Sequence, residues 1–139
     1  MGPSGYSRTP LAKKLGIKEG FKIRLINAPE NYFALFKDFP GNVDILTETK
    51  SKKDFIHCFS KDIAELKKII PDLKSEIISN GMIWISWPKK SSGISANADE
   101  DSIRSLALAT GLVDIKVCAV DDTWSALKLV IPVKSRSML

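Results

Sequence analysis

The segment Met82-Ile83-Trp84-Ile85-Ser86-Trp87-Pro88-Lys89-Lys90-Ser91-Ser92-Gly93 decides how the fold is built. A run rich in β-forming residues ends at a proline, and two lysines and a Ser/Gly loop follow. In an open α/β sheet, ligands bind just beyond the carboxyl ends of such strands. The segment therefore predicts one strand and one edge of a candidate site, without indicating which ligand binds there.

The chain has the size and composition of one globular domain. It has 139 residues, of which 44% are hydrophobic and 27% are charged, and these are ordinary values for a single domain. Residues 1–8 and 133–139 are predicted to be flexible ends. No apolar run approaches the ~20 residues that cross a bilayer, and residues 1–5 lack the features of a secretory signal. We therefore expect a cytoplasmic protein that does not enter membranes.

The cysteines and the single histidine do not form a metal-binding or catalytic pattern. Cys58 and Cys118 lie in apolar, strand-like runs and are predicted to be free thiols. His57 is the only imidazole and also lies in an apolar run, so we expect it to be structural. Without an available base, Ser-His-Asp and Cys-His chemistry have little support. The sequence therefore predicts no metal and no catalytic residue.

Alternating strand-like and helix-like segments predict an α/β fold. Strands are predicted at residues 21–26, 43–47, 54–59, 82–87, 112–120 and 124–131. Helices are predicted at residues 9–16, after Pro29, after a Ser60 cap with a kink at Pro71, and after a capping box at Asn97 and Glu100. Such alternation produces parallel sheets with right-handed crossovers. We predict three layers, with a mostly parallel sheet of about six strands and an antiparallel C-terminal hairpin strand.

Four segments meet at the carboxyl edge of the predicted sheet, and they supply the candidate ligand-binding residues. These residues are Asn27, Ser60, Lys89, Lys90, Asp121, Thr123 and Trp124. The two lysines and the N–H groups of their loop can hold an anion, although solvated lysines at a strand end look the same. Adjacent carboxylates at the hairpin can perform acid–base chemistry, but they also favour a simple turn.

The turn after the first strand argues against a standard nucleotide site. Folds that bind nucleotides need glycines there so that a phosphate or adenosyl group can approach the backbone. This chain has Asn27-Ala28-Pro29-Glu30, in which the proline also lacks an N–H donor. Glu48 is spaced for a ribose-binding acid, but without the glycines it is better explained as a solvated loop carboxylate. We therefore predict no cofactor.

Two resemblances follow from these patterns. The order of elements, with an antiparallel final strand, resembles the Rossmann-like methyltransferase fold with one strand–helix unit missing. Three motifs also resemble a family of small bacterial proteins known only as a domain of unknown function. The motifs are Gly-Tyr-Ser-x-Thr-Pro-Leu-Ala-Lys-Lys-Leu-Gly at 5–16, Trp-Pro-Lys-Lys at 87–90 and Gly-Leu-Val-Asp-x-Lys-Val-Cys-Ala-Val-Asp at 111–121. That family usually has glycine where Arg8 and Ala126 stand, and the resemblance implies a stand-alone cytoplasmic protein without an assigned activity.

Three functions stay open at this point. The sequence favours a non-catalytic Rossmann-like module that binds a small anionic or nucleotide-like ligand, or a partner protein, at the carboxyl edge. The alternative is a methyltransferase-like enzyme with a degenerate S-adenosylmethionine site near Asn27, Glu48 and Ser60. The net charge of +5 leaves a nucleic-acid or protein-interaction module as a further alternative. A homodimer is compatible with all three.

Overall fold

Six strands and three α-helices make up the regular structure of residues 9–138, the part of the chain that the computed structural model describes. The helices are α1 (Leu11–Leu15), α2 (Ile63–Glu76) and α3 (Glu100–Thr110). The strands are β1 (Lys22–Ile26), β2 (Asp44–Ile45), β3 (Lys53–Phe59), β4 (Ile77–Pro88), β5 (Val113–Ala119) and β6 (Trp124–Val130). Short 3-10 helices occupy Phe33–Leu35, Lys90–Ser92 and Val133–Met138. Residues 1–8, which include the predicted flexible N-terminal end and positions 5–8 of the first motif, lie outside the described part.

The strands form a single mixed sheet in the order β2-β1-β3-β4-β6-β5. The four strands β1 to β4 pair in parallel, whereas β6 is antiparallel to both of its neighbours, β4 and β5. This arrangement confirms the predicted fold class, including the antiparallel strand of the C-terminal hairpin. Parallel strands direct their carboxyl ends to one edge, and this edge is where the candidate residues were expected to meet.

Hydrophobic side chains fill both faces of the sheet. Helices α2 and α3 cover one face, and α1 with the segment 28–43 covers the other. Trp84 is fully buried on the α1 face, whereas Trp87 is 8% exposed on the opposite face. Two strand residues three apart point to opposite faces, so the two indoles pack in different halves of the core. The Nε1 of Trp84 donates a hydrogen bond to the carbonyl oxygen of Leu15 at 2.8 Å.

The segment after Pro29 was predicted to form a helix, and it forms only the single 3-10 turn Phe33–Leu35. Aromatic rings take the place of that helix on the sheet. The rings of Tyr32 and Phe36 lie 5.2 Å apart, and those of Phe36 and Phe39 lie 4.9 Å apart. Aromatic residues are moderate helix formers, and such ring pairs add stability beyond the area they bury. Packing onto β1 and β3 therefore prevails over helix formation here.

Helix α2 differs from its prediction at both ends. It runs from Ile63 to Glu76 as one helix with Pro71 inside, where the sequence predicted a kink or two short helices. Its N-cap is Asp62, whose side chain accepts a hydrogen bond from the N–H of Ala64 at 2.9 Å, so the predicted Ser60 cap is wrong. Strand β4 begins directly after Glu76, so Asn80 and Gly81, a residue pair that favours a helix stop in the sequence, lie inside that strand. Burial of one apolar side of α2 outweighs the N–H that the proline lacks.

The capping box of α3 lies two residues later than the sequence predicted. Asp99 accepts a hydrogen bond from the N–H of Ser102 at 2.8 Å, and the Ser102 hydroxyl lies 3.1 Å from the N–H of Asp99. Asn97 instead accepts a hydrogen bond from the N–H of Ile63 at 2.7 Å. The loop before α3 is therefore attached to the first turn of α2. The predicted ends of α1 and α3 are confirmed, because Gly16 and Gly111 adopt left-handed φ values of 82° and 89°.

A buried chain of hydrogen bonds runs between β3 and β4. His57 is fully buried; its Nδ1 lies 3.0 Å from the hydroxyl oxygen of Tyr32 and its Nε2 lies 2.7 Å from the Ser86 hydroxyl. Burial lowers the pKa of His57 to about 3 and raises that of Tyr32 above its usual range. Because the imidazole is enclosed and both of its nitrogens have partners, it is structural, as the sequence predicted.

This buried imidazole is expected to make stability depend on pH. The unfolded chain binds the proton near pH 6.5 and the folded chain only near pH 3. Stability is therefore complete above pH 6.5 and falls as the pH drops towards 3, by up to roughly 1.4 kcal/mol per pH unit. Urea unfolding at several pH values measures this slope. The His57→Gln variant, which cannot titrate, is expected to show a shallower slope, and parallel curves would contradict the prediction.

Candidate ligand site at the carboxyl edge

The carboxyl edge of the sheet brings the predicted site residues together along one line. Asn27 follows β1, Ser60 follows β3, Lys89 follows β4 and Trp124 begins β6, and these four strands are consecutive in the sheet. Neighbouring strands lie about 4.8 Å apart, so the four positions span roughly 15 Å. This length suits a small ligand that lies across several strand ends.

Hydrogen bonds connect the neighbouring strand ends. The Asn27 side-chain amide donates to the carbonyl oxygen of Phe59 at 3.4 Å, and the N–H of Ser60 donates to the carbonyl oxygen of Ser86 at 3.0 Å. The N–H of Lys89 donates to the carbonyl oxygen of Thr123 at 2.8 Å. Thr123 therefore contributes its main chain to the edge and holds the β4 loop against the hairpin.

The turn after β1 has the backbone conformation that glycine supplies in nucleotide sites. Asn27 has a φ of 56°, in the left-handed region, which asparagine tolerates better than most residues. The absence of glycine from this turn does not reveal the conformation, because asparagine supplies it. Pro29 still removes one N–H donor from the turn, so the site is open but has fewer donors than a glycine-rich loop.

Ser60 and Glu65 form a polar pair beside the end of β3. The Ser60 hydroxyl donates to Oε1 of Glu65 at 2.6 Å and accepts from the N–H of Asp62 at 3.1 Å. Ser60 is only 5% exposed, whereas Glu65 is exposed. The carboxylate that a ligand would meet first therefore belongs to Glu65, which the sequence reasoning did not identify. Its only signal was an acid in the first turn of a helix that begins just after a strand end.

Two residues of the hairpin have different roles. Asp121 stabilises the turn, and Trp124 presents an aromatic ring at the edge. Oδ1 of Asp121 accepts hydrogen bonds from the N–H groups of Thr123 and Trp124, both at 2.8 Å. This geometry favours the turn interpretation of Asp121 over acid–base chemistry. The half-buried Trp124 ring lies edge-on to Phe59, with the ring centres 5.1 Å apart, and leaves part of its surface at the edge.

Lys90 lines a cavity of about 200 Å³ beside the end of β4. The indole of Trp87 and the side chain of Ile94 are part of its wall, and Asp99 stands in the same lining. Hydrogen bonds from Ser102 lower the pKa of Asp99, and the charge of Lys90 lowers it further. The lysine therefore faces a carboxylate that is ionised at neutral pH, which reduces its attraction for anions.

The carboxyl edge carries more acidic than basic side chains, although the chain as a whole is positively charged. Residues 27–30, 60–65, 89–90, 97–99 and 121–123 contain six acidic and three basic side chains, whereas the chain carries a net charge of +5. An acidic concentration at the strand ends attracts a cationic or zwitterionic ligand better than an anion. This feature weakens the prediction of a small anionic ligand.

Glu48 is hydrogen-bonded within its own loop, so its carboxylate is not free to bind a ribose. Its Oε1 accepts a hydrogen bond from the N–H of Ser51 at 2.9 Å and its Oε2 accepts one from the Ser51 hydroxyl at 2.7 Å. Lys53 lies 3.2 Å from Oε1. The Ser51 hydrogen bonds, assisted by Lys53, lower the pKa of Glu48 to about 2. The carboxylate thus closes its own loop, between β2 and β3.

The His, Cys, Asp and Glu side chains of residues 9–138 are not arranged as a metal site or as a reactive thiol. No group of three or more His, Cys, Asp and Glu side chains is placed to hold a metal ion in that part of the chain. Cys58 and Cys118 are free thiols, and burial raises the pKa of Cys58 to about 12, which suppresses its reactivity. None of the described helices is long and apolar enough to span a bilayer.

Several solved structures with this fold are methyltransferases. An N-methyltransferase from Bradyrhizobium japonicum has a TM-score of 0.60, with 10% identity over 88% of this chain and 92% of its own. The chain has the Rossmann-like methyltransferase fold. Precorrin-6y C5,15-methyltransferase from Geobacter metallireducens has a TM-score of 0.58, with 9% identity over 88% of this chain and 86% of its own.

A third methyltransferase with this fold contains its cofactor. Magnesium protoporphyrin IX methyltransferase from Synechocystis, solved with bound S-adenosylmethionine, has a TM-score of 0.55, with 12% identity over 88% of this chain and 74% of its own. At such identities the likeness establishes the methyltransferase fold alone. No protein-family model and no curated protein matches the chain, so its resemblance to the bacterial family of unknown function stays a prediction.

Proposed function

We propose that this chain is a methyltransferase-like protein that binds S-adenosylmethionine in a reduced site at the carboxyl edge. The observation that carries the proposal is the acidic surplus at the strand ends of a methyltransferase fold. S-adenosylmethionine bears a sulfonium cation and an α-ammonium group, so it suits this edge better than a phosphate does.

Three residues form the proposed contacts, one through its backbone and two through their side chains. The left-handed turn at Asn27 lets the ligand approach the backbone. Glu65, already oriented by Ser60, accepts hydrogen bonds from the α-ammonium group. The exposed part of the Trp124 ring offers a face to the sulfonium, in a cation–π contact.

The composition of the edge also limits how tightly S-adenosylmethionine binds and how methyl transfer can occur. Glu48 is occupied by Ser51 and Lys53 and does not bind the ribose. With fewer anchors, we expect a dissociation constant of roughly 0.1–1 mM, some 4–6 kcal/mol of binding. Methyl transfer would rely on holding a nucleophilic acceptor next to the sulfonium.

Titration calorimetry with S-adenosylmethionine and, separately, adenosine monophosphate tests the proposal. We expect S-adenosylmethionine to bind more tightly, and Glu65→Gln to weaken it about tenfold because a charge-assisted hydrogen bond is lost. The matched control is Asp38→Asn, an exposed aspartate without a hydrogen bond or ion pair to the rest of residues 9–138. Absence of binding at millimolar S-adenosylmethionine, or tighter binding of the nucleotide, would overturn the proposal.

A non-catalytic module that binds a small anion at Lys89 and Lys90 is the second candidate. The position of Lys90 in the cavity beside Trp87 favours it. It requires adenosine monophosphate or inorganic phosphate to bind, and the Lys89→Ala/Lys90→Ala double variant to lose that binding. Nucleic-acid binding is a further alternative, for which a salt-dependent gel shift is the test.

A further inference from the structure

We propose that a second site, between α2 and β1, binds an α-amino acid with an apolar side chain. A cavity of about 410 Å³ lies there, away from the candidate site at the carboxyl edge. Its lining includes Arg24, Thr49, Asp72 and Glu76, with Ile69 and Leu73 as an apolar wall. The volume is within the range of small-molecule sites.

The Arg24 side chain is held by one ion pair and keeps other hydrogen-bond donors unused. Its Nη1 donates to Oε1 of Glu76 at 2.6 Å, and its side chain is 19% exposed. Its Nε and Nη2 groups make no hydrogen bond to the rest of residues 9–138. A guanidinium with unused donors matches the two oxygens of a carboxylate. Arg24 is thus the anchor for the carboxylate of the ligand.

A buried ion network holds this guanidinium in place. Lys53 is fully buried, and its Nζ donates to the carbonyl oxygens of Glu48 at 2.6 Å and Ser51 at 2.8 Å, and to Oε1 of Glu48 at 3.2 Å. These contacts occupy the three hydrogens of the ammonium group. Oε2 of Glu76 lies 3.1 Å from Nζ but has no hydrogen-bond partner.

Such a network is a costly way to fill a protein interior, because the cost of removing the ions from water can exceed the gain from their mutual attraction. A role in positioning explains its presence. Glu76, only 5% exposed, is confined between Arg24 and Lys53 and directs the guanidinium to the cavity. Glu76 and Lys53 are positioning residues in this account, and Arg24 is the residue that touches the ligand.

Asp72 supplies the opposite charge in the same cavity. It is exposed and makes no hydrogen bond or ion pair to the rest of the described chain. A free carboxylate beside a free guanidinium complements the ammonium and carboxylate groups of an amino acid. The side chain of the ligand then contacts Ile69, the partly exposed apolar residue of the lining.

Titration calorimetry with apolar L-amino acids tests this site, with L-leucine as the first probe. Isocaproate lacks the amino group of leucine and isoamylamine lacks its carboxylate. We expect leucine, or another apolar amino acid, to bind at least about tenfold more tightly than either of its analogues, because each analogue leaves one charged group of the site unpaired. Equal binding of isocaproate and leucine would overturn the proposal.

Two variants and one control complete the experiment. Asp72→Asn removes the surface charge alone, and Arg24→Lys keeps a cation next to Glu76 but loses the planar donors. Both are expected to weaken amino-acid binding about tenfold, whereas Asp38→Asn is expected to leave it unchanged. Failure of every apolar amino acid to bind at millimolar concentration, or unchanged binding by both variants, would refute the site. S-adenosylmethionine binding should be unaffected by Asp72→Asn, which separates this test from that of the proposed function.

Discussion

Replacing Glu76 by alanine is expected to lower the free energy of unfolding by about 3–5 kcal/mol, the usual effect of removing one partner from a buried ion pair. The substitution leaves the fully buried Lys53 and the largely buried Arg24 without the carboxylate between them. Urea unfolding followed by circular dichroism measures the change.

Two further variants test whether the loss of stability comes from the missing carboxylate of Glu76. Glu76→Gln keeps the shape and an acceptor for Arg24, so its effect should be smaller than that of alanine. Glu30→Ala, an exposed glutamate with no hydrogen bond or ion pair within residues 9–138, should change stability by less than about 0.5 kcal/mol. If Glu76→Ala changed stability as little as Glu30→Ala, the network would have no stabilising role.

Replacing Trp84 by alanine should be as damaging, at about 3–5 kcal/mol. The indole is fully buried on the α1 face and donates to the carbonyl oxygen of Leu15 at 2.8 Å. Its removal opens a cavity and leaves that oxygen without its partner. Trp84→Phe keeps most of the volume and should lose roughly 1–2 kcal/mol, mainly for the hydrogen bond. Equal losses for the two variants, by the same measurement, would contradict the cavity argument.

The strands could be predicted because their residues have one dominant environment. The run from Met82 to Trp87 is largely buried on both faces, and the short link at 121–123 between two strand-like segments predicted the hairpin. Strand pairing followed from handedness and connection rules rather than from single residues. The fold class was therefore accessible from local patterns.

The segment from Pro29 to Pro40 was mispredicted because tertiary packing determines it. Its aromatic residues have a spacing compatible with a helix, and nothing local shows that their rings pack directly on β1 and β3. The N-caps of α2 and α3 were mispredicted for a related reason. Asp62, Asp99 and Asn97 are all plausible caps, and only the contact between the α3 loop and α2 decides which N–H each one takes.

The candidate edge was predictable in position but not in charge. Carboxyl ends of parallel strands must meet, so Asn27, Ser60 and Lys89 were expected to be neighbours. The acidic surplus was not evident, because Glu65 and Asp99 belong to helix starts that sequence reasoning treats as local features. The cluster of Arg24 and Glu76 joins residues 52 positions apart, and no short-range pattern indicates such a pair.

The order of the strands also governs how quickly the chain can reach this structure. The hairpin β5–β6 closes across a four-residue turn, and such units form in about 1–10 µs. The partners of the interior pairs are far apart in the chain, as with the Trp84 indole and the Leu15 carbonyl, which are 69 residues apart. Since each long loop must close before its contacts stabilise anything, folding should take milliseconds to seconds. Helix α1 can dock only after β4 has been placed, and amide hydrogen exchange during refolding should show its protection among the last to appear.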